Sequence, residues 1–280
     1  MRIDYSIPRL QSMAQTLRRD VIDSIYRAGS GHPGGSLSLA EILSALYFHE
    51  MDVDPQNPAW EDRDRFVLSK GHGAPCYYAA LSRRGYFDPA LLQTLRKTGS
   101  SLQGHPDRKK TPGVDMSTGS LGQGISAACG MAYYGKKRGR PYRVYCVLGD
   151  GEMQEGQVWE AMMSAAHFGL NRLTVLLDNN DLQIDGNVRD VMNIHPIREK
   201  AEAFGWEVLE TGGHDLAGLL QALEAARRSE DRPTFILCRT VKGKGVSFME
   251  NQAAWHGGGL TEEQYRLAMS QLREEGGGAL

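Results

Sequence analysis

Four histidines of this sequence sit in glycine-rich segments. These are His32 in Gly31-His32-Pro33-Gly34-Gly35, His72 in Gly71-His72-Gly73, His105 in Gly104-His105-Pro106 and His256 in His256-Gly257-Gly258-Gly259. Imidazole exchanges protons near neutral pH and glycine lets backbone approach a ligand closely, so such loops can fold around a reacting group. A second constellation is acidic. Gly149-Asp150-Gly151 ends the apolar run Val144 to Leu148, and Asp178-Asn179-Asn180-Asp181-Leu182-Gln183-Ile184-Asp185-Gly186 ends the run Leu173 to Leu177. Adjacent parallel strands would bring a carboxylate and a carboxamide together at the carboxyl edge of a sheet, where open α/β sheets bind ligands. Hard oxygen donors there suit Mg²⁺ or Ca²⁺, with diphosphate oxygens and water completing the shell. Two Asx turns after two strands account for the same pattern without a metal. Gly119-Ser120-Leu121-Gly122-Gln123-Gly124 precedes a helix and can cradle phosphate on backbone N–H groups. It is neither GxGxxG nor a P-loop, and no strand leads directly into it, which argues against a nicotinamide enzyme or a nucleotide triphosphatase.

The elements that must position these groups follow from periodicity. Apolar residues at Leu10, Met13, Leu17, Val21, Ile22 and Ile25 predict a helix over Pro8 to Arg27, stopped by Gly29. A second helical run covers Leu39 to Phe48, and Asp52 to Asp64 is turn-rich. A short strand, Arg65 to Leu68, leads into the His72 loop, and Thr98 to Gly119 reads as a long functional loop. From Leu121 to Tyr134 a small-residue helix is expected. Strands at Arg143–Leu148, Leu173–Leu177, Trp206–Glu210 and Thr234–Arg239 then alternate with helices at Glu155–Phe168, Pro196–Phe204 and Leu216–Arg228. This order predicts an α/β fold with a central parallel sheet and helices on both faces. His49 and His167 fall on helices and read as structural. His214 reads as turn composition beside Asp215, a helix cap.

Composition sets the outer bounds. The 280 residues are 41% apolar and 24% charged, with net charge -2, so the chain can bury a core and has no electrostatic case for nucleic acid. No run approaches the roughly 20 apolar residues of a membrane helix, and the N-terminus lacks a signal-peptide run. Cys76, Cys129, Cys146 and Cys238 lack metal-ligand spacing and read as reduced, buried thiols of a cytoplasmic protein. Thirty-three glycines exceed average usage, and they concentrate in the loops that carry the reactive residues.

Taken together, these motifs resemble the transketolase family. Gly149-Asp150-Gly151-Glu152-Met153-Gln154-Glu155-Gly156, Trp159-Glu160-Ala161 and the Asn180–Gly186 segment are similar to its thiamine-diphosphate signature. Ser30-Gly31-His32-Pro33-Gly34, Gly71-His72-Gly73, Gly104-His105-Pro106, Thr118 to Gly124, Lys242-Gly243-Lys244-Gly245 and Trp255-His256-Gly257 agree in order and spacing, so the resemblance covers nearly the whole chain. It implies a thiamine-diphosphate-binding fold. Asp150, Asn180 and the Leu182 carbonyl would bind the metal, Mg²⁺ or alternatively Ca²⁺ or Mn²⁺. Gly151 and Glu155 would belong to the cofactor site or its dimer-facing edge. Gly119 and Leu121 would meet the aminopyrimidine, and Ile184 the thiazolium. His32, His72, His105 and His256 would line the substrate channel, His72 and His256 also approaching the diphosphate. His32 and His256 are the candidates for proton transfer. Ser120, Asn179 and Gly35-Ser36 depart from the residues common in the family, which leaves the sugar preference open.

The resemblance also bears on organisation. Residues 1–273 are expected to form one diphosphate-binding (PP-type) N-terminal domain, with 274–280 a flexible tail. The chain then looks like one subunit of a split transketolase, transferring a two-carbon ketol unit between sugar phosphates. Its partner would be a separate C-terminal subunit carrying the pyrimidine-binding domain and its glutamate, in an α2β2 assembly, with no nucleic acid or membrane partner. Two alternatives remain: another thiamine-diphosphate carboligase, such as a deoxyxylulose-phosphate-type synthase, or a non-catalytic cofactor-binding assembly subunit. Gln154-Glu155-Gly156 after the GDG motif favours transketolase.

Overall fold

The structure is a computed structural model that describes residues 2–274. The described residues hold seven strands: β1 (Arg65–Leu68), β2 (Val144–Gly149), β3 (Leu173–Asn179), β4 (Leu182–Gln183), β5 (Gly186–Asn187), β6 (Glu207–Gly212) and β7 (Thr234–Arg239). Five form one parallel sheet in the order β1-β2-β3-β7-β6, while β4 and β5 make a small antiparallel hairpin. Register decides where the chemistry falls. Gly149 pairs with Asp178 and Asn179 with Arg239, so Asp150 and Asn180 leave the sheet at the same carboxyl edge.

Helices cover both faces: α1 (Ile7–Ala28), α2 (Pro33–Leu37), α3 (Ala40–Ala45), α4 (Ala74–Arg84), α5 (Gln123–Lys137), α6 (Gly156–His167), α7 (Val188–Val191), α8 (Ile197–Ala203), α9 (Leu216–Arg228) and α10 (Glu262–Glu274). Side chains alternate across the strands. Tyr145, Val147, Leu176, Ile236 and Cys238 pack with α1, α3, α4 and α9. Val144, Cys146, Leu148, Val175 and Leu177 pack with α5, α6 and α8 on the other side. Strands buried on both faces read as continuous apolar runs, which is why they were visible in the sequence.

The differences from expectation have physical causes. Helix α4 is buried along nearly its whole length, Ala74 to Ser82, so it shows no amphipathic stripe. Helix α10 is mostly polar and is held by Ala268, Leu272 and a Tyr26–Tyr265 stack at 4.1 Å. The run expected at Leu39–Phe48 is α3 followed by a π-turn at Leu46–Glu50, and α2 starts inside the Gly-rich His32 loop. Strand β6 begins one residue later than expected and extends to Gly212. The segment Thr98 to Gly119 contains no helix or strand, as expected. Glu274 closes α10, and residues 275–280 of the expected tail lie outside the described residues.

Candidate active site

The carboxyl edge of the sheet opens into a cavity of about 200 Å³. Asp150, Asn180, Leu182, Gly151, Glu155, Leu121, Ile184, His72 and His256 all line it. Asp150 caps a 3-10 turn at Gly151–Gln154. Its Oδ1 accepts from Gly151 N at 2.8 Å, and its Oδ2 accepts from Asn180 N at 2.9 Å and Asp181 N at 2.5 Å. The carboxylate thereby splices the ends of β2 and β3. Asn180 Oδ1 accepts from Leu182 N at 3.2 Å, opening the β4–β5 hairpin whose tip carries Ile184, 65% exposed.

His32 and Gly119 lie beside the cavity lining rather than in it, and His105 joins through His32. The His32 ring stands 5.4 Å from His72, 5.5 Å from His256 and 6.2 Å from His105, and His72 is 5.0 Å from His256. This convergence has a backbone origin, because Gly258 N donates to Gly31 O at 2.8 Å and zips the two loops together. Close approach needs glycine at Gly34, where a Cβ would sit 2.6 Å from the Trp255 carbonyl oxygen and 2.9 Å from Lys242 Cγ. Gly71 is similar, since a Cβ there would meet Gly119 N at 2.8 Å. Gly119 itself packs on the His105 ring.

Burial keeps the histidines neutral. Desolvation, helped by Arg96, lowers His32 to about 4. Desolvation and Lys242 lower His256 to about 4, while burial beside Lys70 carries His72 well below its ordinary value. His105 is lowered by burial and Arg96. All four rings are therefore available near pH 7 as hydrogen-bond donors and acceptors rather than as cations.

Several residues of the site carried no assignment in the sequence. Lys70 Nζ donates to Gly35 O at 3.0 Å and to Asp178, which also receives Ser38 Oγ at 2.7 Å and the Thr240 hydroxyl. Asp178 thus ties the loops after β1 and β7 to α2 from beneath the cavity floor. Glu152 is buried; its Oε1 accepts from Ser69 Oγ at 2.5 Å and from Gly122 N at 2.9 Å, anchoring the Gly119–Gly124 loop. Lys242 lines the cavity, with Nζ 3.2 Å from His256 Nδ1. The signal in the sequence was present for Lys70 and Lys242: each is a lysine inside a small-residue motif that needs no charge to turn. Asp178 stood in the acidic segment after the Leu173–Leu177 run, but nothing in the sequence set it apart from Asn180, Asp181 and Asp185.

Two charges in this cavity are under strain. Burial, and Asp178 next, push the Asp150 carboxyl up to about 7. Burial and Lys70 push Lys242 down to about 8. A cation beside Asp150 and an anion beside Lys242 would relieve both, and His32 Nδ1 and Ser36 Oγ are buried without a protein partner. No three His, Cys, Asp or Glu side chains form a metal cluster among the described residues. The available donors are instead one carboxylate, one carboxamide oxygen and one backbone carbonyl, a set suited to a hard divalent cation that shares its shell with phosphate oxygens.

A parallel α/β sheet with a mixed-charge cavity and histidines at its carboxyl edge defines a cofactor-binding α/β domain. A family model described as the thiamine diphosphate binding domain of transketolase matches residues 10–275, and the chain belongs to the transketolase family. It is 46% identical over 267 residues to the 6-deoxy-6-sulfo-D-fructose transketolase subunit SqwG of Clostridium sp. (strain MSTE9), covering 95% of this chain and 97% of that one. It is 38% identical to an apulose-4-phosphate transketolase subunit from Phocaeicola vulgatus, covering 96% of this chain and 95% of that protein. Human transketolase is 45% identical over 94% of this chain, which spans 42% of it. Among solved structures, the transketolase of Campylobacter jejuni superposes with a TM-score of 0.90 at 36% identity, over 96% of this chain and 43% of that one.

Proposed function

We propose that this chain is the thiamine-diphosphate- and metal-binding subunit of a two-component transketolase. The carrying observation is one cavity at the carboxyl edge of the sheet that holds the buried Asp150 carboxyl and Lys242 ammonium with Asn180, Leu182, His72 and His256, while His32 stands 5.4 Å from His72 and 6.2 Å from His105 beside it. Asp150, Asn180 and the Leu182 carbonyl would hold Mg²⁺, with Ca²⁺ or Mn²⁺ as alternatives, and Lys242 would face the diphosphate. When bound, thiamine diphosphate supplies the carbon nucleophile and electron sink for two-carbon ketol transfer. Gly151 and Glu155 would frame the cofactor on the β2 side, Gly119 and Leu121 on the pyrimidine side, and Ile184 under the thiazolium. His32 and His256 would move protons at the substrate hydroxyls, and His72 and His105 would hold the substrate by hydrogen bonds.

Ile184 lines the cavity and is 65% exposed, which suits a wall shared with another chain. We assign that wall to a separate subunit with a pyrimidine-binding domain and its glutamate, in an α2β2 assembly. The subunit names of two relatives that match this chain end to end support a two-component enzyme. Those names specify a sulfonated and a phosphorylated sugar, so the donor we expect is a ketose with an anionic terminus. Four buried cysteines without a disulfide fit a reducing compartment, the cytoplasm. No helix among the described residues is long and apolar enough to cross a membrane.

Calorimetry with thiamine diphosphate and Mg²⁺, on this chain alone and with its partner subunit, tests the assignment. Saturable, metal-dependent binding that is lost in Asp150→Ala is expected, with ketol transfer in the reconstituted pair. Tight binding without transfer in that pair would leave only a cofactor-binding assembly subunit.

A further inference from the structure

His214, which the sequence presented as turn composition, lies outside the cavity yet has both ring nitrogens engaged. Nδ1 is 2.8 Å from Glu41 Oε2, and Nε2 is 2.8 Å from the backbone nitrogen of Val241. A peptide N–H only donates and a carboxylate only accepts, so the ring is neutral with its proton on Nδ1. Glu41 is held in turn by Arg18 Nη2 at 2.6 Å, and both of those side chains are buried.

The next residue after Val241 is Lys242, whose ammonium lies 3.2 Å from Nδ1 of His256. Its backbone is fixed on both sides: Asn251 N donates to Lys242 O at 2.9 Å, and Gly243 N donates to Gly34 O at 3.0 Å. An ammonium has donors and no lone pair, so the imidazole nitrogen facing it must be the unprotonated one. A neutral His256 then carries its proton on Nε2.

We propose that Lys242 is a positioning residue that locks His256 in its Nε2–H tautomer, and that His214, braced by Glu41 and Arg18, holds the Val241–Lys242 segment in the place this requires. On the reading of the cavity given above, His256 meets substrate as a hydrogen-bond donor. The proton position on His256 is thereby set by a chain of hydrogen bonds that starts at Arg18 on α1, remote from the cavity. Neutrality of His256 at pH 7 accords with its lowered pKa of about 4.

The tautomer is read directly in the ¹⁵N-histidine-labelled chain at pH 7 by long-range ¹H–¹⁵N spectra, with His256 assigned by its loss in His256→Gln. A single Nε2–H pattern is expected for His256 and a single Nδ1–H pattern for His214. Lys242→Met should abolish the single-tautomer pattern of His256 and leave His214 unchanged. His214→Gln, whose amide can donate to Glu41 and accept from Val241, should preserve the His256 pattern, whereas His214→Leu should lose it. An Nδ1–H pattern for His256, or an unaltered pattern in Lys242→Met, overturns the proposal. If His214→Leu does not fold, the Lys242→Met and His214→Gln arms decide. The readout needs neither cofactor nor partner, so it stands apart from whether the reconstituted pair performs ketol transfer.

Discussion

The Lys70 ammonium donates to the Asp178 carboxylate in an ion pair that is almost wholly withdrawn from solvent, Lys70 being 2% and Asp178 0% exposed. Lys70 follows the end of β1 and Asp178 lies in β3, with β2 between them, so the pair spans the floor of the cavity. Removing one member leaves a buried charge without its partner, which costs about 3–5 kcal/mol. Lys70→Met and Asp178→Asn should each lower stability on that scale in chemical denaturation. The double variant should cost clearly less than the sum; additive losses would mean that the two side chains act independently.

Glu41 predicts an acid-sensitive contribution. Burial alone would raise its carboxyl, but Arg18 and His214 reverse the effect and hold it at about 2, below the ordinary 4.5. A carboxyl depressed on folding stabilises the fold above its unfolded pKa, and that stabilisation is lost as pH falls through the folded one. The stability gap between wild type and Glu41→Gln should therefore be full above pH 4.5 and shrink by roughly 3 kcal/mol toward pH 2. Denaturant melts at a series of pH values measure it, and a gap that does not change with pH would refute the coupling.

Gly34→Ala tests the close approach of α2 to the His256 loop. The added methyl meets the Trp255 carbonyl oxygen, which is backbone and cannot rotate away. A loss of about 1–3 kcal/mol is expected from overpacking, together with weaker thiamine diphosphate binding as Lys242 and His256 shift. Unchanged melting and unchanged calorimetry would show that the loop yields freely.

Ile184→Asp separates folding from binding. The side chain is mostly exposed at the hairpin tip, so stability should stay within about 0.5 kcal/mol of wild type. Loss of its apolar contact should weaken cofactor binding by about tenfold. Sedimentation with the partner subunit would show whether assembly weakens in parallel.

His256→Ala distinguishes a reacting-site group from a cofactor ligand. In the reconstituted enzyme, turnover should fall about 10²-fold or more, the range of positioned acid–base groups. Cofactor affinity should change by less than about tenfold. Equal losses in both would place His256 on the diphosphate instead.

Most of the architecture was legible because parallel strands buried on both faces appear as unbroken apolar runs, and because Leu10, Leu17, Val21 and Ile25 mark one face of α1. The groups that the structure brings together at the sheet edge were legible too. Asp150, Asn180 and the four loop histidines stand in short motifs whose glycines have no other local use. What the linear order could not contain was the partner of each group. That β3 pairs with β2 on one side and β7 on the other comes from the order of strands in the sheet, and it alone puts Asp178 over Lys70 and Thr240. His32 faces His256 because one backbone bridge, Gly31 to Gly258, closes between segments from opposite ends of the chain. His214 looked like a turn residue since its two partners, Glu41 and Val241, are supplied by α3 and the loop after β7. Residue type and spacing determined which atoms can do chemistry; hydrogen bonds and burial between distant segments decided which of them are charged, which are neutral and which way their protons point.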